Sequence, residues 1–110
     1  MRRGEIWRAN LDPIAGSEQA GHRYVLIVSA DAFNDLMGRA LIVPITTGGA
    51  FSRTRGFAIG LEEYGTKTKG FVLCDQLRTV DLKARHGRRR EAVPDRLVAE
   101  VLSRLVTILS

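Results

Sequence analysis

Eight consecutive residues, Gly16-Ser17-Glu18-Gln19-Ala20-Gly21-His22-Arg23, place a carboxylate, an amide, an imidazole and a guanidinium between two apolar runs. No large apolar side chain interrupts them. Glycine near both ends suits a loop that needs unusual backbone angles or close approach to a ligand. Loops held by strands are where scaffolds present chemistry. Here the chemistry would be that of a phosphate. A carboxylate such as Glu18 takes a proton, and the planar fork of Arg23 neutralises phosphate oxygens. The same stretch also reads as a polar hairpin loop carrying a surface ion pair.

Two further clusters stand at the ends of apolar runs. Thr46-Thr47 follows the run of residues 40 to 45, and Asp75-Gln76 sits near the end of residues 71 to 77, with Arg78 just beyond. With RNA as partner, these groups suit phosphodiester cleavage through the 2′-hydroxyl. That reaction needs a base near the 2′-OH, an acid near the leaving 5′-oxygen and positive charge on the crowded phosphate. Glu18 would accept the proton, Arg23 would neutralise the phosphate, and Thr46 would donate a hydrogen bond to it. Ordinary strand-end threonines and a carboxylate bonded to its own turn are the plainer readings. His22 and His86 read as surface side chains. Cys74, the one cysteine, has no disulfide partner and reads as a small core residue. No Cys/His spacing suggests a metal site, so no cofactor is expected.

The elements that must position these groups follow from periodicity. Residues 6 to 11 alternate, with Trp7, Ala9 and Leu11 on one face, and predict a half-buried strand ended by Asp12-Pro13. Residues 24 to 29 form a β-branched run expected to be covered on both faces. Residues 31 to 38 predict only a turn of helix around Ala32-Phe33-Asn34. Residues 40 to 45 predict a buried strand, with an edge or bulge at Pro44. Residues 57 to 61 and 71 to 77 predict two more strands. The segments 51 to 56, 62 to 70 and 81 to 90 read as charged connections. Pro94 then opens a helix, with Leu97, Val98, Val101, Leu102, Leu105, Val106 and Leu109 on one apolar stripe. Short strands without crossover helices, followed by one helix, predict a mostly β, α+β domain: a small barrel with a C-terminal amphipathic helix.

The chain has 110 residues, of which 45% are apolar and 26% charged, enough for one domain over residues 1 to 110. The N-terminus, Met1-Arg2-Arg3-Gly4-Glu5, has no apolar stretch behind it, and no run approaches membrane-spanning length. A cytoplasmic location is expected. Net charge is +5, and residues 51 to 90 alone carry +6. A basic half-chain predicts a polyanionic partner, nucleic acid or an acidic protein segment.

The loop from Gly16 to Arg23 resembles that of the MazF/PemK (Kid) family of type II toxins. The resemblance spans the chain: Arg3-Gly4-Glu5-Ile6-Trp7, Leu11-Asp12-Pro13, Phe33-Asn34, Val43-Pro44-Ile45-Thr46-Thr47-Gly48-Gly49, Cys74-Asp75-Gln76, Arg78-Thr79-Val80-Asp81 and Lys83-Ala84-Arg85. Val93-Pro94 and residues 100 to 105 fit the plasmid-borne PemK and ChpB-like branch. The resemblance implies an SH3-like barrel of the CcdB/PemK type and a homodimer with RNA in a groove across its interface. It implies a metal-independent, sequence-specific endoribonuclease that cuts single-stranded mRNA and stops translation. It also implies an antitoxin with an acidic, flexible tail.

Arg23 and Thr46 match the catalytic Arg and Thr of MazF-type enzymes. Glu18 matches an acidic residue of the same loop, and Asp75 the Asp proposed as base in the PemK branch. Expected RNA contacts are Ser17, Gln19, Thr47, Arg53, Arg55, Phe57, Lys69, Gln76 and Arg78. The chain departs from the family pattern at Ser17, where relatives have His, at Leu73, where they have Arg, and at Tyr24, where Pro is usual. Leu73 has no proton to give, so Arg23 and Thr46 are the expected pair. Two other functions fit the same fold: a toxin that binds a protein such as gyrase, as CcdB does, or a nuclease-dead binder of RNA or antitoxin.

Overall fold

The computed structural model describes residues 1–11, 22–47 and 56–110, with every side chain among them except that of His22. Seven strands and two α-helices make up the described chain. They are β1 (Glu5–Asn10), β2 (His22–Ile27), α1 (Asp31–Met37), β3 (Ala40–Thr46), β4 (Ala58–Gly60), β5 (Phe71–Leu73), β6 (Arg78–Val80), β7 (Arg88–Ala92) and α2 (Asp95–Leu109). A 3-10 turn covers Glu62–Tyr64. All strand pairs are antiparallel. The order is β4-β5-β3-β2-β1-β7, and β6 also pairs with β3. The expected mostly β, α+β class holds. Among the described residues the strand path of the expected small barrel is open, with β4 and β7 at its ends.

The central strands are covered on both sides, as their β-branched composition requires. One core gathers Ile6, Leu26, Val28, Val43, Ile45 and Val72 against Leu97, Val101 and Leu105 of α2. The other gathers Ala9, Leu11, Val25, Ile27, Ala40, Ile42, Val80 and Leu82. Alternate residues of β2 and β3 therefore feed opposite cores. This alternation fixes which face each strand-end side chain joins.

Pro44 sits in a central strand and not at a sheet edge. The Leu41 carbonyl accepts from the Val28 N–H at 2.9 Å, on the β2 side. Hydrogen-bonding direction alternates along a strand, so Pro44 turns its missing N–H the other way. There β3 changes neighbour, from β6 at residues 40–42 to β5 at residues 45–46. The gap between the two ladders needs no donor from Pro44.

Three other expectations are corrected. Arg88–Ala92, read as part of a basic connection, is a strand pairing with β1. Its exposed arginines are typical of an edge strand that repels unwanted pairing. Residues 31–37 form a full seven-residue helix, with Gly38 in the left-handed region as its C-cap. Asn34 is its buried residue; its amide donates to the Met1 and Ser29 carbonyls, at 3.1 and 3.2 Å. On α2, Val106 and Leu109 leave the expected stripe and are exposed. No helix among the described residues is long and apolar enough to cross a membrane.

Candidate active site

Arg23 lies on β2 opposite Ala9 of β1. The β2–β3 register pairs Tyr24 with Ile45, so its next step sets Arg23 beside Thr46. Thr46 pairs with Phe71 of β5, and Phe71 with Gly60 of β4. The result is one cross-strand row: Ala9, Arg23, Thr46, Phe71, Gly60. Arg23 shares its face with Val25 and Ile27, and Thr46 shares its face with Ala40 and Ile42, all members of the same core. Both side chains therefore emerge on one side of the sheet. Directly opposed residues have Cβ atoms about 5 Å apart. Arg23 and Thr47 are exposed and Thr46 is half-buried. The row marks the rim where two apolar strands run out of core.

Gly70 fixes the Thr46 end of this row. Its φ of +116° lies where side-chain-bearing residues are strained, and its Cα faces the Thr46 carbonyl. A Cβ there would sit 2.9 Å from the Thr46 carbonyl carbon, nearer still to its oxygen, and 3.3 Å from the Thr47 Cα. The Gly70 carbonyl accepts from the Leu61 N–H at 2.9 Å.

The turn before Gly70 is clamped from β7. The Glu91 carboxylate accepts from the backbone N–H of Lys67 at 3.0 Å and of Thr68 at 2.7 Å, and from the Thr68 hydroxyl at 2.6 Å. That hydroxyl accepts from Arg90 Nε at 2.8 Å, and the Arg90 guanidinium lies 4.9 Å above the centre of the Tyr24 ring. Burial alone would raise the Glu91 pKa. The Thr68 hydroxyl, the two N–H groups and the Arg90 charge outweigh burial and hold the carboxyl below its usual value.

Of the expected site residues, the structure joins Arg23 and Thr46 and sets Thr47 beside them. Lys69 is exposed next to Gly70. Asp75 and Gln76 are exposed in the segment between β5 and β6, with the Gln76 N–H donating to the Leu73 carbonyl at 3.2 Å. Arg78 pairs opposite Ile42, four residues along β3 from Thr46. At strand rise that is about 13 Å. Arg78 is therefore set apart from the Arg23–Thr46 row. Phe57 is half-buried against the α2-side core, which favours its core role, and Tyr24 packs against the same core. Tyr24 is also a ladder residue, paired with Arg8 and Ile45, where the family's usual proline could not donate. Leu73 is buried. Ser17, Glu18, Gln19, Arg53 and Arg55 lie outside the described residues.

Sequence reading missed Gly70 and the Glu91 clamp. A glycine directly ahead of an apolar strand is a signal of close backbone approach. Glu91 gave none, because its strand is almost wholly charged.

The chain matches the model of a family described as PemK-like, MazF-like toxins of type II toxin-antitoxin systems, over residues 2–109. It is 54% identical over 110 residues to Endoribonuclease PemK of Escherichia coli, covering all of this chain and 83% of that protein. Endoribonuclease toxin ChpB of Escherichia coli strain K12 is 41% identical, with 99% of this chain and 94% of that one covered. A MazE-MazF crystal structure from Deinococcus radiodurans superposes with a TM-score of 0.85 at 28% identity, covering 99% of this chain and 95% of that one. The chain belongs to the PemK-like, MazF-like family of type II toxin-antitoxin system toxins.

Proposed function

We propose that this toxin is an endoribonuclease that cuts single-stranded mRNA at specific sequences through the 2′-hydroxyl, without a metal, and so inhibits translation. The observation that carries the reading is the shared row of Arg23 and Thr46 on one sheet face, in a chain 54% identical to an endoribonuclease. Arg23 stabilises charge as it builds on the phosphate, and its exposure leaves the guanidinium open to a polyanion. The Thr46 hydroxyl donates to a non-bridging oxygen. Glu18, five residues before Arg23 in the sequence, removes the 2′-OH proton. Asp75, Gln76 and Arg78 hold flanking nucleotides. Thr47 adds an exposed hydroxyl, and Lys69 and the exposed arginines of β7 add positive charge.

The toxin works in the cytoplasm as a homodimer. A cognate antitoxin covers the same basic surface with an acidic tail, as the net +6 of residues 51 to 90 favours. The test is cleavage of a long single-stranded RNA by purified protein in excess EDTA, with chemical identification of the ends. Cuts at a short recurring sequence, leaving a 5′-hydroxyl and a cyclic or 3′-phosphate, are expected. Intact RNA beside an active control enzyme overturns the reading.

A further inference from the structure

A cleft of about 480 Å³ opens where the end of β1 meets the segment between β6 and β7. Asn10, Arg39, Asp81, Arg85 and His86 are among its walls. That volume is in the range of small-molecule sites and accommodates a nucleotide. Its walls are built, not incidental. The Asn10 N–H donates to the Arg85 carbonyl at 3.0 Å, and Arg85 Nη1 donates to the Asn10 carbonyl at 3.2 Å. This pair clips the loop to the sheet and fixes the guanidinium at the cleft wall, with its other donors unspent on that bond.

His86 is the one non-glycine residue with positive φ, +57°, among the described residues. Such a conformation costs energy and persists only where the surroundings enforce it. They do: the His86 N–H donates to Lys83 and the Gly87 N–H to Leu82, at 3.2 and 2.7 Å. Arg39 is exposed and has no hydrogen-bond or ion-pair partner among the described residues. The one carboxylate in the wall, Asp81, accepts the Ala84 N–H at 3.1 Å and so serves the turn. Two guanidiniums and an imidazole thus face a cleft with one committed carboxylate. Asn10 pairs with His22, the neighbour of Arg23. That wall adjoins the row, while Arg39, seven residues before Thr46, stands at the other end of β3, about 23 Å of extended strand away.

We propose that this cleft is a second phosphate subsite, which holds the RNA backbone outside the sequence that is cut. The proposal rests on the RNA-cleaving function above. The probes are two 2′-O-methyl oligonucleotides, which lack the nucleophile. One spans only the cut sequence and the other extends past it on both sides. Binding is followed by fluorescence anisotropy across a salt series. Arg39→Gln lowers the ratio of extended to short affinity by about five-fold, and the salt slope for the extended probe falls by about 0.7. His86→Gly removes the imidazole while suiting the backbone angle. It lowers the same ratio without lowering the melting temperature.

Equal losses on both probes, or no change in the ratio, overturn the subsite. Wild-type protein that binds neither probe overturns the RNA reading itself. A loss of affinity for polyglutamate, with the RNA ratio unchanged, overturns the subsite in favour of an acidic protein segment.

Discussion

Gly70→Ala tests the positioning of Thr46 in one atom. The added Cβ stands 2.9 Å from the Thr46 carbonyl carbon, where ordinary contacts begin at 3.4 Å, and the carbonyl oxygen is closer. The partner is backbone, so no side chain swings away. Relief requires the end of β3 or the clamped turn to move by on the order of 1 Å, and a displacement of that size costs a catalytic group about 10²-fold in rate. Strain at φ +116° adds about 1–3 kcal/mol of lost stability. Gly65 provides the control. Its φ is +69°, yet a Cβ there meets nothing within 4 Å, so Gly65→Ala carries the backbone strain without the clash. Steady-state cleavage of a fluorogenic RNA, with urea unfolding of each variant, separates the two effects. Gly70→Ala lowers kcat about 10²-fold with KM little changed, while Gly65→Ala loses stability and keeps kcat. Equal kcat in wild type and a folded Gly70→Ala variant would refute the positioning role.

Glu91→Gln weakens the clamp on the 67–68 turn and costs about 1–3 kcal/mol by urea unfolding at neutral pH, because buried donors lose a charged acceptor. The folded Glu91 carboxyl titrates below its ordinary 4.5. Its contribution is therefore present above pH 4.5 and is lost as pH falls through the lower folded value. The gap between wild type and Glu91→Gln closes in that acid window; a gap independent of pH contradicts the clamp. Burial pushes the Cys74 thiol up to about 11 from 9.0. A thiol reagent at pH 8 then labels the protein only when it unfolds, and stability declines between pH 9 and 11 as the unfolded thiol ionises. Rapid labelling of native protein would contradict that burial.

The alternation of residues 6 to 11 and the continuous apolar runs of 24 to 29 and 40 to 45 were legible because these strands feed buried faces, β2 and β3 on both sides. The helix after Pro94 was legible for the same reason. What stayed hidden was decided by pairing. The strand Arg88–Ala92 lies at a sheet edge, buries almost nothing and so carries no apolar signal. Pro44 looked like an edge residue because the gap between two ladders is a property of the assembled sheet. The site divides in the same way. Arg23 and Thr46 both end apolar runs, so their exposure at a rim was readable. Whether they shared a face depended on register. Arg78 also follows an apolar run, yet β6 pairs it four residues further along β3, away from Thr46. Glu91 was unreadable as a turn clamp, because its partners, two backbone N–H groups and the Thr68 hydroxyl, are more than twenty residues away.

The central claim is that Arg23 acts on the phosphate from the row it shares with Thr46. Single-turnover cleavage of an RNA containing the mapped site, by wild type and Arg23→Ala at saturating enzyme, tests it most directly. Losing one charge-stabilising donor predicts a fall of about 10²-fold or more in the cleavage rate, with unfolding unchanged. Arg23→Ala that folds, saturates with RNA and cuts at the wild-type rate would contradict it.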